Sequence, residues 1–200
     1  EGETVELIAN VEVTGAVKIE KSITLDLGEY NIARNGDKDS DTVIFVSGGD
    51  VVITGTGTVT AAPYAPAVWV KDGKLTIKGG NFVGGNHAVY AVKNGSVIIE
   101  GGKFEYTDAA CSGLVLNVHD DCRKTASIVV KGGTFYKFDP EDNAAEGKNT
   151  NFVADHYASV EIEENVWKVV AKVYVAEVNG VKYETLQEAI NACTNGETVK

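Results

Sequence analysis

The sequence predicts an all-β solenoid, a chain wound into stacked coils, and three observations predict it. Four segments align without gaps: Val51–Thr60 (VVITGTGTVT), Lys74–Val83 (KLTIKGGNFV), Ser96–Glu105 (SVIIEGGKFE) and Ser127–Tyr136 (SIVVKGGTFY). Upstream of each lies a second short run of β-branched residues; the upstream runs start at Ala16, Val43, Ala67, Ala88, Leu114 and Phe152, steps of 27, 24, 21, 26 and 38. Glycine doublets recur at one point of the repeat, at Gly79-Gly80, Gly101-Gly102 and Gly132-Gly133. A recurring pattern of this kind decides the architecture before any single element does.

Within each repeat the order is a β-branched strand, a glycine bend and often an aromatic. Alternation such as Val97 with Ile99, or Ile128 with Val130, turns one set of side chains inward, where successive coils stack them into apolar ladders. Phe82, Phe104 and Phe135 are expected in one such ladder. Two looser copies, Ser22–Ile32 and Ser159–Trp167, extend the series. Asp72-Gly73 and Asn94-Gly95 would ordinarily signal two-residue hairpins, and an antiparallel sandwich is the competing fold. The repeat favours the solenoid, because a hairpin stack gives no reason for a small residue at the same corner of every unit. About six coils are expected over residues 1–170.

Residues 171–200 break the pattern. In Val173–Tyr183 two alternating strands flank Asn179-Gly180, a hairpin signal. Thr185 with Glu188 three residues on forms a capping box, and Leu186, Ala189, Ile190 and Cys193 fall on one face of a helix of about three turns that stops at Asn195-Gly196. The ends of the chain match: NGETVK (Asn195–Lys200) repeats EGETVE (Glu1–Glu6).

Coils reading Val-x-Ile-x-Gly-Gly-x-Phe and Ala-Val-Tyr-x-Val-x-Asn-Gly resemble the right-handed parallel β-helix of the pectate-lyase-like superfamily. Gly132–Asp155 resembles a module common in large repetitive surface proteins of gut bacteria and in structural proteins of their phages. The resemblance covers nearly the whole chain. It implies a right-handed parallel β-helix with a C-terminal β-hairpin and a short capping α-helix. In such modules a strand pair and helix lead straight into Gly-x-Thr-Val and the first coil, and the helix closes the open end of the stack. The chain then reads as a piece of something larger, beginning with Glu1 just past one cap and ending just past the next. One explanation is a tandem array cut at a module boundary. The other is head-to-tail association, in which Val173, Val175, Val178, Leu186, Ala189, Ile190 and Val199 of one copy cover Val5, Leu7 and the first-coil ladder of the next, a contact that propagates into a fibre.

Composition excludes several partners. A net charge of −11 leaves no basic footprint for nucleic acid and disfavours anionic membrane surfaces. The longest apolar runs fall far short of the roughly 20 residues that span a bilayer. Three cysteines without a Cys-x-x-Cys spacing argue against a disulfide scaffold or a structural zinc. Cys111 and Cys122 could bond only if the turns at both ends of the strand Gly113–Val118 fold back, and Cys193 reads as packing on the helix.

Catalysis on the resembled fold uses carboxylates clustered on one face of the solenoid. His119, Asp120, Asp121, Arg123 and Lys124 superficially resemble the paired Asp and Arg-x-Lys of polygalacturonases, but they sit in one turn and no Gly-His-Gly is present, so a solvated charged turn is expected. Asp37, Asp39 and Asp41 could offer oxygens to Ca²⁺, although the EF-hand pattern is incomplete. Asp139, Glu141 and Asp142 are similar, with Asp139-Pro140 as a turn initiator, and His87 and His156 read as structural. Trp69 and Tyr90 occupy matching positions in successive coils and form either an inward ladder or an outward strip for surface glycans.

The expectation is therefore a non-enzymatic structural module, without cofactor, of an extracellular fibre, a repetitive cell-surface protein or a virion appendage. Its expected partners are copies of itself or adjacent tandem repeats. A glycan-binding adhesin or phage receptor-binding module, and a polysaccharide lyase or hydrolase, are the alternatives.

Overall fold

The computed structural model describes residues 2–34, 42–107, 114–194 and 198–200. Each coil contributes one short strand to each of three faces. The first coil runs through β1 (Glu3–Glu6), β2 (Val11–Val13) and β3 (Val17–Ile19), and the second through β4 (Ile23–Asp26), β5 (Ile32–Arg34) and β6 (Ile44–Val46). The third holds β7 (Asp50–Thr54), β8 (Thr58–Thr60) and β9 (Val68–Val70); the fourth β10 (Lys74–Ile77), β11 (Asn81–Gly84) and β12 (Val89–Ala91). The fifth holds β13 (Ser96–Ile99), β14 (Lys103–Tyr106) and β15 (Leu116–Val118), and a sixth begins with β16 (Ser127–Val130) and β17 (Thr134–Tyr136). Strands three apart pair in parallel, giving sheets β1-β4-β7-β10-β13-β16, β2-β5-β8-β11-β14-β17 and β3-β6-β9-β12-β15. The fold is thus the parallel β-solenoid that the repeat predicts.

The registers carry the ladders. On the first sheet Val5, Leu25, Ile53, Ile77, Ile99 and Val130 stand in line, and all but Val5 are buried. On the second, Ile32, Val59, Phe82, Phe104 and Phe135 align, and the three phenyl rings stack at centroid distances of 5.3 and 5.0 Å. Phe138 and Phe152 continue the stack past the last coil.

Two expectations need correction. The third sheet has five strands among the described residues, so the complete coils number five and the sixth is partial. The looser sixth repeat is not a coil. Val153 makes an isolated parallel bridge to Val130, after which β18 (Tyr157–Glu163) and β19 (Val166–Ala171) turn back on each other at Glu164-Asn165, where Asn165 is left-handed at φ +59°. β19 pairs antiparallel with β17 and covers that edge of the second sheet. A VEIEE stretch with charged residues on one side suits an edge ribbon and cannot line a dry interior.

Residues 171–200 form a separate compact unit. β20 (Ala176–Val178) and β21 (Val181–Tyr183) are joined by Asn179 at φ +51° and Gly180 at φ +85°, the left-handed pair that a two-residue type I′ turn requires. Helix α1 (Leu186–Ala192) carries the expected capping box, Thr185 Oγ1 accepting from Glu188 N–H and Glu188 accepting from Thr185 N–H. At seven residues it has about two turns, shorter than expected. The expected stop at Asn195-Gly196 lies outside the described residues.

Candidate functional site

Two regions carry the candidate residues, and the first is the outer face of the third sheet. Each of its strands has a central residue flanked by two that point into the interior, as with Val68 and Val70, both fully buried, around Trp69. Parallel registry aligns the central positions as Lys18, Phe45, Trp69, Tyr90 and Asn117. Trp69 and Tyr90 therefore point outward from adjacent coils, with ring centroids 5.6 Å apart and planes at 50°. Phe45 joins them edge-on, 5.7 Å from Trp69. Sequence reasoning missed Phe45, although VIFV aligns with AVWV and would have revealed it. The indole Nε1–H is buried with no acceptor among the described residues.

Beside Phe45 and Trp69 lies a groove of about 350 Å³ lined by Ala16, Thr42, Val92 and three lysines, Lys18, Lys71 and Lys93. Beyond Tyr90 the face becomes polar. His87 stacks on Tyr90 at 5.2 Å, its Nδ1 lies 2.7 Å from the Leu114 carbonyl, and its Nε2 lies 3.5 Å from the Asn117 amide nitrogen. A neutral ring that donates from Nδ1 and accepts at Nε2 fits both neighbours. Burial lowers the His87 pKa from 6.5, opposed by the Leu114 contact, and burial raises that of the Tyr90 phenol, helped by the nearby Cys122, Asp120 and Glu146.

The charged turn after β15 is tied down. His119 caps the 3₁₀ turn Asp120–Cys122 by accepting from Asp121 N–H, while Arg123 pairs with Asp120 at 2.6 Å and Glu146 at 2.7 Å. Glu146 also accepts from Val118 N–H, so the arginine bridges two segments and neutralises both carboxylates. In the next loop Asp139 accepts from Glu141 N–H and Glu141 from Ser159 N–H, both shaping the backbone. Cys122 and Cys193 carry free thiols. The metal candidates Asp37, Asp39 and Asp41, and Cys111, lie outside the described residues.

The second region is the open first coil. β1 pairs with β4 on one edge, and its other edge is unpaired by any described strand. Val5 at the head of its ladder is 47% exposed and Ile8 84%, while Leu7 packs partly on the core. Glu3 heads the neighbouring ladder and lies 3.9 Å from Lys21. A charge in an inward line is a common guard on an exposed sheet edge.

In the C-terminal unit, Ala176, Val178 and Ala189 are buried together, with Val199 packed against them. Glu177 and Lys200 exchange both backbone hydrogen bonds at 2.9 Å, an antiparallel pairing. Of the residues expected at an assembly interface, Val178, Ala189 and Val199 thus serve the interior of this unit. Val173, Val175, Leu186 and Ile190 are exposed.

Compared with known protein families, curated proteins and solved structures, the chain matches none.

Proposed function

We propose that this chain is a non-enzymatic structural module of an extracellular fibre, repetitive surface protein or virion appendage, in which a hairpin–helix unit of one copy covers the first coil of the next. One observation carries the reading. Thr198–Lys200 repeats the Thr4–Glu6 position of the sequence, and it pairs with β20 while Val199 sits on the Ala176–Val178–Ala189 cluster. The same edge would take Thr4–Glu6 of a neighbouring module with Val5 in the place of Val199, while Glu6 would face Glu177 where Lys200 now does, a like-charge pair that weakens the exchange. That contact would satisfy the unpaired edge of β1 and dry the exposed head of its ladder. It is heterologous, so it propagates into a linear array, as tandem repeats in one polypeptide or as separate copies exchanging strands. The coil repeat and the parallel fold support the likeness to the pectate-lyase-like superfamily, and the proposed surface location rests on the resemblance of Gly132–Asp155 to modules of repetitive surface and phage proteins.

Sedimentation over a wide concentration range tests the association. Species larger than one copy should grow with concentration, Val5→Asp should suppress them, and removal of Thr198–Lys200, which vacates the β20 edge, should enhance them. A strictly monomeric chain at the highest concentration, or association indifferent to both changes, would overturn the proposal.

A further inference from the structure

We propose that the groove beside Phe45 and Trp69 binds a glycan bearing carboxylate or sulfate groups. The groove's floor is apolar, made by Phe45, Trp69 and Val92, and its charged rim consists of Lys18, Lys71 and Lys93. None of these lysines forms an ion pair with a described residue, in a chain with 29 acidic and 18 basic side chains. Three unpaired ammonium groups round one apolar groove are complementary to an anion that also carries an apolar face. An acidic sugar meets both conditions, because the C–H face of its ring lies on aromatic carbon and its anionic group reaches outward to ammonium.

The geometry also selects a chain over a small ion. The outward line from Lys18 to Asn117 crosses four strand spacings, about 19 Å at roughly 4.8 Å each, which accommodates several sugar rings laid across the strands. Phe45, Trp69 and Tyr90 meet at 82° and 50°, which makes a corrugated strip and leaves no parallel slot for stacked nucleobases. The strands beneath are hydrogen-bonded on both edges from β6 to β12, so the rings are held before any ligand arrives. This site is independent of the end-to-end association.

Affinity electrophoresis of the full chain at physiological salt tests the proposal with hyaluronan (carboxylate alone), dextran sulfate (sulfate alone), chondroitin sulfate (both), and unmodified dextran and poly(U) as controls. At least one acidic glycan should retard the protein while dextran and poly(U) do not, and the hyaluronan and dextran sulfate lanes identify the preferred group. Trp69→Ala and Lys71→Glu should each weaken retardation about tenfold, the scale of one lost anchor contact. Lys74→Glu, exposed on the first sheet outside the groove, should leave it unchanged. Lack of retardation by all three acidic polymers, equal retardation by poly(U), insensitivity to Trp69→Ala in a protein with native circular dichroism, or equal effects of the two lysine changes would each overturn it.

Discussion

The glycine doublets make the sharpest test of the coil geometry, because their two members serve different physical needs. At Gly101 an added Cβ would lie 2.4 Å from the Lys78 carbonyl oxygen of the preceding coil, and the equivalent distances at Gly79 and Gly132 are 2.4 and 2.2 Å. Ordinary contact begins at 3.4 Å, so Gly101→Ala must push the coils apart by about 1 Å against a strand spacing of roughly 4.8 Å. That displacement strains the Glu100 N–H to Ile77 and Lys103 N–H to Gly80 hydrogen bonds, now 2.8 and 2.9 Å. Losing both costs about 2 kcal/mol, and overpacking adds roughly 1–3 kcal/mol, so about 3–5 kcal/mol is expected in all. For a domain of this size that lowers the melting temperature by roughly 6–20 °C. Gly102, at φ +99°, is needed for its backbone conformation, and Gly102→Ala should cost about 1–3 kcal/mol through strain. Chemical and thermal unfolding followed by circular dichroism would measure both. If Gly101→Ala lies within about 0.5 kcal/mol of the parent while Gly102→Ala does not, the doublet is only a turn signal and the close approach of coils is refuted.

Other parts of the structure give further expectations. Phe104→Ala removes the middle ring of a three-ring stack and should cost about 3–5 kcal/mol in denaturant unfolding, against clearly less for the half-buried, outward Phe45→Ala. His87 has its folded pKa lowered from 6.5, so below that pH the unfolded chain takes up the proton first; stability should be full above pH 6.5 and fall as pH drops towards the folded value. Subtracting the pH–stability curve of His87→Gln from that of the parent should isolate this acid-side loss, and identical curves would refute it. Arg123→Gln leaves Glu146 without its cation and should cost about 1–3 kcal/mol, with most of it restored by Glu146→Gln in the double variant.

The inward ladders and the glycine corners could be read from the sequence because they are periodic, and a solenoid sums many weak identical signals into one strong one. The capping box was legible for the opposite reason, since Thr185 and Glu188 bond within one turn and need no distant partner. Ser159–Trp167 misled because its alternation fits either a coil strand or an edge ribbon, and only the Asn165 turn and the pairing to β17 decide between them. The face of Trp69 was ambiguous because Val-Trp-Val contains no polar residue to mark the wet side. Aligning whole columns resolves it, since Lys18 and Asn117 occupy the same register as Phe45, Trp69 and Tyr90 and neither belongs in a dry core.

The unlike ends of the coil stack bear on how strongly copies should associate. One end is plugged by Phe138, Phe152 and Val169, all buried, whereas the other leaves Val5 and Ile8 in water. In the C-terminal unit Val173, Val175, Leu186 and Ile190 are 75%, 59%, 57% and 49% exposed. Val5 would take the place of Val199 and its burial is offset, so the other five side chains, with about half or more of their surface to bury, would contribute about 1 kcal/mol each, roughly 5 kcal/mol together. Joining two free bodies costs about 4–15 kcal/mol, so separate copies should associate only at high concentration. Modules joined in tandem meet at an effective concentration in the millimolar range and should close readily. A chain of two fused copies should therefore melt above the single copy, and Val5→Asp in the second copy should remove that gain while the same change in the first leaves it. If the fused pair melts at the temperature of the single copy, the hairpin–helix unit does not cover the next coil.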